Sequence, residues 1–161
     1  IFARGQTLYD DRYKKSIYTQ FISHMFTLNE SQRKMLGSHG LLIARSLLGF
    51  LFVFTGYGMF TAGPEAIGGY FASVGVPLGA MMYWPVVILK ISAGLALILG
   101  YRVGCAAAAL ILFTLGATYF GHSDWSDQNQ VTAALKNFAI VGGLLYVAAH
   151  GAGSGWKLKS K

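Results

Sequence analysis

Residues 83–120 read YWPVVILKISAGLALILGYRVGCAAAALILFTLGATYF, 38 residues in which Lys90 and Arg102 are the only charges. Crossing a hydrocarbon core of about 30 Å takes about 20 helical residues. The stretch is therefore two spans, residues 83–100 and 103–120, joined by a turn at Tyr101 and Arg102. Two more apolar blocks of similar length, residues 41–60 and 131–149, bring the predicted number to four. In lipid each segment must satisfy its own backbone N–H and C=O groups, and four short strands could not close a barrel, so the spans are helices. Composition agrees, because among 161 residues 54% are hydrophobic and 12% charged, too few charges to coat a soluble domain. The predicted fold is all-α, a membrane four-helix bundle with an N-terminal amphipathic interfacial arm.

The distribution of charge sets the expected orientation. The formal net charge is +7, but the basic residues border apolar blocks, where they report topology and anionic lipid rather than nucleic acid. Arg33, Lys34 and Arg45 precede or open the first span, Arg102 lies in the second connection, and Lys157, Lys159 and Lys161 follow the fourth. The other two connections carry Glu65, Asp124 and Asp127 with no Lys or Arg. Basic residues favour the cytoplasmic side, so both termini are expected on the cytoplasmic or mitochondrial matrix side of an inner membrane. Arg33, Lys34, Arg45 and Arg102 are expected lipid headgroup contacts, and Tyr83, Trp84 and Trp125 mark the opposite aromatic belt. The lone cysteine, Cys105, excludes an internal disulfide and reads as a small residue within a span.

Residues 1–40 form a basic arm. Ile17, Phe21, Ile22, Met25 and Phe26 recur on one helical face, with Thr19, Gln20, Ser23 and His24 on the other, predicting an amphipathic helix that docks on lipid or on a partner protein. Thr27 and Glu30 have capping-box spacing for a second short helix through Met35, which Gly37 can end. Residues 41–156 constitute the four-span bundle and residues 157–161 a basic tail. Between the first two spans, Ile67, Tyr70, Phe71 and Val74 predict an interfacial half-helix ending at Gly75 and Pro77. Ser92, Ala96 and Gly100, then Gly104 with Ala108, and Gly142 with Gly143, are candidate close-packing surfaces between helices.

Four stretches in this order resemble the DoxX family of small four-span membrane proteins, related to the membrane subunit of thiosulfate:quinone oxidoreductase. They are residues 54–60 (FTGYGMF), 70–77 (YFASVGVP), 94–102 (GLALILGYR) and 136–143 (KNFAIVGG). The resemblance covers roughly residues 41–156 and leaves the arm unaccounted for. It also exposes two departures. Where the family's first span usually ends in a lysine this chain has Met59, and where a glutamate usually precedes the glycine-rich half of the second span it has Lys90. The family's intramembrane ionisable pair is thus missing, so its chemical role does not transfer.

Lys90 is the intramembrane charge to explain. It is expected to snorkel toward the outer interface or to pair with Glu65, Asp124, Asp127 or an acid on a neighbouring subunit, with a substrate or quinone contact as the remaining alternative. Lys136 is expected to form a surface ion pair with Asp124 or Asp127. His39 and His150 could ligate haem only if they faced each other, which nothing in the sequence fixes, and at interfacial depth they read as headgroup contacts; His122 with Asp124 and Asp127 matches no established metal-ligand pattern. Tyr57, Phe60, Tyr70, Phe71 and Tyr83 are expected to pack, with an apolar groove for quinone or bound lipid as the alternative. No catalytic or metal-ligating residue is assigned. The expected function is a non-catalytic accessory or scaffolding subunit of a larger inner-membrane, bioenergetic complex, whose partners are other membrane subunits and lipid. The alternative is the membrane subunit of a quinone-linked sulfur-compound oxidoreductase.

Overall fold

The computed structural model describes residues 29–153 and 156–158, with the side chains of Arg33 and Leu36 outside the description. The arm residues Ile17, Phe21, Ile22, Met25, Phe26 and Thr27 also lie outside the described residues. The chain divides into two compact units, Ile1–Gly37 and Ser38–Lys161.

In the first unit, helix α1 spans Glu30–Met35. The main-chain N–H of Asn29 donates to Gln32 Oε1 at 3.0 Å and that of Gln32 donates to Asn29 Oδ1 at 2.8 Å. This reciprocal pair is a capping box with Asn at the cap and Gln three residues on, two positions later than the expected Thr27–Glu30 pair. Gly37 does not end the helical backbone as expected, because it lies within a π-helical turn, Leu36–Gly40.

The second unit contains α2 (Leu41–Ser73), α3 (Tyr83–Leu99), α4 (Val103–Gly121) and α5 (Gln128–His150), with a 3-10 turn at Gly79–Met82 before α3. Among the described residues, four helices are long and apolar enough to cross a membrane, and there is no strand. Helix α2 packs on α3, α3 on α4, α4 on α5, and α5 back on α2, which closes a ring of four. Helices α2, α3 and α4 each contribute a buried stripe at spacings of three or four: Leu41, Arg45, Gly49, Phe52 and Gly56 from α2, Tyr83, Val87, Lys90, Gly94 and Leu97 from α3. Helix α4 adds Val103, Ala107, Leu110, Thr114 and Thr118, and α5 buries Ala134, Leu144 and Val147. The opposite faces expose Phe50, Phe54, Leu112, Tyr119, Leu135 and Leu145. Such a surface is costly in water and well solvated by acyl chains.

Helix α2 breaks at Gly63, whose φ of 86° and ψ of 164° lie outside helical space. Glycine alone adopts that conformation at low cost, and Pro64, lacking an N–H, starts the second half as a first-turn proline. The predicted half-helix is therefore real, and it ends at Ser73 just before Gly75, which has φ of 77°. Gly68 and Gly79 hold it against the 3-10 turn: a Cβ on Gly68 would sit 2.9 Å from Ala80 Cα, and one on Gly79 would sit 2.8 Å from the Ala72 nitrogen.

The closest helix crossing is between α2 and α3. A Cβ on Gly49 would lie 2.5 Å from the Gly94 carbonyl oxygen, and one on Gly94 would lie 2.8 Å from the Gly49 carbonyl oxygen. Gly56 crosses the same helix next to Lys90 and Ile91. The expected close-packing residues divide: Ala96 packs on the core, Gly100 is buried against Arg45 and Gly143 meets Leu48, whereas Ser92 is exposed and Gly104 and Gly142 have nothing within 4 Å of a hypothetical Cβ. Gly94, two residues along from Ser92, faces α2 instead.

Candidate functional site

Arg45 is fully buried, so it is not the headgroup contact expected from its place near the start of a span. Its Nη1 donates to the carbonyls of Leu97 at 2.6 Å and Ile98 at 2.8 Å, and its Nη2 donates to the carbonyl of Trp156. Leu97 and Ile98 belong to the last turn of α3, where carbonyls lack i+4 partners and the helix dipole is negative; the Leu97 carbonyl also accepts from the Gly100 N–H at 3.2 Å. A guanidinium presents a planar fork of donors suited to several acceptors at once. The helix stop itself comes from Gly100 at φ of 70°, with the Tyr101 N–H donating to the Ala96 carbonyl at 2.9 Å. The segment after α5 is tied to the same place, because the Leu158 N–H donates to the Leu99 carbonyl at 2.9 Å. Arg45 is a structural clasp joining α2, the end of α3 and the segment after α5. Arg102 is exposed in the α3–α4 turn and Lys34 is exposed on α1.

Lys90 lies at mid-helix in α3 and is only 8% exposed. Its Nζ sits 3.4 Å from Met59 Sδ and 5.4 Å from the Phe113 ring centroid. This corrects the snorkelling expectation, since the ammonium is turned into the bundle. Among the described residues it forms no ion pair, so the expected pairing with Glu65, Asp124 or Asp127 is not formed either. The two positions that depart from the DoxX pattern, Met59 and Lys90, are direct neighbours in space.

Met59 and Phe113 also line a cavity of about 370 Å³ between the second half of α2, the start of α3 and the end of α4. Tyr70, Phe71, Val86 and His122 are among its other walls. Of the five aromatics considered from sequence, Tyr70 and Phe71 line this space, whereas Tyr57 and Phe60 are exposed. Tyr83 is 1% exposed and its hydroxyl donates to the Phe60 carbonyl at 3.2 Å, fixing the start of α3 against α2.

The remaining polar candidates have local partners. His122 Nδ1 is 2.7 Å from Gln130 Oε1, and Asp127 caps α5 by accepting from the Asn129 N–H at 2.9 Å. Asp124 accepts from the hydroxyl and the amide of Ser126, which hold its carboxyl below the ordinary carboxylate range. His150 Nδ1 lies 2.9 Å from the Tyr146 carbonyl, and the two rings stack at 4.1 Å. No group of three or more His, Cys, Asp or Glu converges among the described residues. Lys136 is exposed and pairs with neither aspartate among the described residues. Sequence reasoning passed over one polar contact inside the bundle: Asn137 Nδ2 donates to Thr118 Oγ1 at 3.0 Å, joining α5 to α4.

Residues 40–123, more than half of the chain and including Arg45, Met59, Lys90 and most of the cavity wall, match the family model for DoxX. The chain belongs to the DoxX family. Two relatives from Escherichia coli (strain K12) agree with that membership. "Inner membrane protein YqjF" is 32% identical over 123 residues, covering 75% of this chain and 91% of the relative. "Inner membrane protein YphA" is 28% identical over 124 residues, covering 71% and 84%. No solved structure matches significantly. This DoxX-family chain is thus a membrane protein with transmembrane helices, and its relatives reside in an inner membrane.

Proposed function

We propose that this DoxX-family chain is a non-catalytic accessory or scaffolding subunit of a larger inner-membrane complex, of the bioenergetic kind. The observation that carries the reading is the Met59–Lys90 contact. A family position that pairs opposite charges holds here a thioether against an ammonium, a pair unable to pass a proton from acid to base. The buried clasp at Arg45 and the close glycine crossing of α2 and α3 serve a rigid bundle, which suits a subunit that other subunits pack against. The arm adds a docking element through Ile17, Phe21, Ile22, Met25 and Phe26. Burying each such side chain contributes about 1.5–3 kcal/mol. Deleting residues 1–36 is expected to leave the four spans inserted but to lower retention in the parent complex severalfold, and Phe21→Glu with Ile22→Glu should reproduce the loss. Quantitative mass spectrometry of affinity-purified complexes reads the outcome, and undiminished stoichiometry would refute the docking role.

The orientation belongs to the same reading: both termini on the cytoplasmic or matrix side, with Arg33, Lys34 and Arg102 near lipid phosphates. In a Cys105→Ala background, Ser123→Cys and Ser160→Cys should react with an impermeant maleimide from opposite sides of sealed vesicles. Labelling from one side would reject this arrangement.

A further inference from the structure

We propose that the cavity beside Lys90 binds a single-chain anionic amphiphile, a long-chain carboxylate, with its head drawn toward the Lys90 ammonium and its tail along the apolar wall. Two independent features meet at this place. The first is a space of about 370 Å³, within the range of small-ligand pockets of about 300–1,000 Å³ and near its lower end, which suits one hydrocarbon chain better than two. Phe71, Val74, Val86 and Leu112 supply its apolar surface, while Tyr70 and His122 provide polar groups.

The second feature is the cation. The ammonium has three donors, yet among the described residues its partners are the Met59 thioether and the Phe113 ring, both of which form the cavity wall. A thioether is a weak acceptor and a ring face is a diffuse one. A buried cation ordinarily has an anion or strong acceptors beside it, and among the described residues no carboxylate reaches Lys90. A carboxylate arriving from the cavity would supply both charge and oxygen acceptors. Met59, unbranched and able to change rotamer, is the side chain that would yield to admit it. A neutral chain of equal length would gain the apolar contacts but not the charge, and a cationic amphiphile would be repelled.

The test uses the full chain in nanodiscs with two photoactivatable probes of equal length, a diazirine-bearing hexadecanoate and the corresponding hexadecanol. The carboxylate should crosslink to the cavity wall about tenfold more strongly than the alcohol at equal concentration, the ratio produced by about 1.4 kcal/mol. Lys90→Met, which removes a buried charge and should melt no lower than wild type, should abolish that preference, so that the two probes label alike. Gly116 lines the cavity and has open space at its Cβ, so Gly116→Leu should exclude both probes. Gly142→Leu, a glycine with equally open space away from the cavity, should exclude neither. Equal labelling by the two probes in wild type, or a carboxylate preference that survives Lys90→Met, would overturn the assignment to Lys90. Labelling undiminished by Gly116→Leu would overturn the assignment to the cavity.

Discussion

Arg45→Met is expected to lower the stability of the bundle in mild detergent by about 2–4 kcal/mol. The guanidinium donates to the carbonyls of Leu97, Ile98 and Trp156, and hydrogen bonds from a charged group contribute about 1.5–3 kcal/mol each. Against this stands relief from keeping a cation out of water, several kcal/mol for an ion without compensation. Here the last turn of α3 already provides compensation, through its terminal carbonyls and the negative end of its dipole, so loss of the bonds outweighs the relief. The damage should be local in a recognisable way. The Leu158 amide, bonded to Leu99, should lose hydrogen-exchange protection, and the segment after α5 should become sensitive to protease. Arg45→Lys should fall between, because a point-like ammonium cannot reproduce the planar fork. An unchanged melting temperature in Arg45→Met would show that the clasp contributes nothing.

The second large effect is expected at the α2–α3 crossing. In Gly49→Val the new Cβ would lie 2.5 Å from the Gly94 carbonyl oxygen and 2.7 Å from Ile98 Cγ1. The first obstacle is backbone, which cannot rotate aside as a side chain can, so the helices must separate along their tightest contact. Overpacking ordinarily costs about 1–3 kcal/mol; displacing main chain along a whole crossing should put this variant at about 3 kcal/mol or above. Gly142→Ala provides the opposite sign. That glycine has open space at its Cβ and sits within α5, where alanine is favoured over glycine by about 1 kcal/mol. Thermal unfolding followed by circular dichroism separates the two, and equal melting temperatures for both variants would contradict the packing described.

The four spans were legible because their apolar length has only one solution in a bilayer, and the spacing of Ile67, Tyr70, Phe71 and Val74 before Gly75 and Pro77 marked the half-helix, whereas the break at Gly63 that separates it from the first span was not read from the sequence. The roles of single polar residues were less legible. Arg45 lies four residues after Leu41 and four before Gly49, on the face that packs inward, but positive-charge counting assigns any arginine near a span boundary to lipid. Its true acceptors are 52, 53 and 111 residues away in sequence, and nothing local announces them. Lys90 was correctly placed within a span, yet side-chain length permits snorkelling from that depth; only the third dimension shows Met59 and Phe113 beside it. The family comparison had pointed to Met59 and Lys90 separately, and their contact joins two anomalies into one site. The close-packing stripe was placed only in part, with Ala96 and Gly100 packed but Ser92 exposed, because small residues recur on more than one face of α3. Gly94, rather than Ser92, faces a glycine on the neighbouring helix, and that pairing is invisible to a pattern read along one helix.

The accessory role is tested most directly by purifying the full chain from its native membrane in mild detergent and determining what accompanies it, and in what ratio. The account predicts a stable assembly in which this chain is stoichiometric with several other membrane subunits and whose catalytic centres reside in those subunits. Isolation of the chain with a single soluble partner, together with thiosulfate-dependent quinone reduction by that pair, would contradict it.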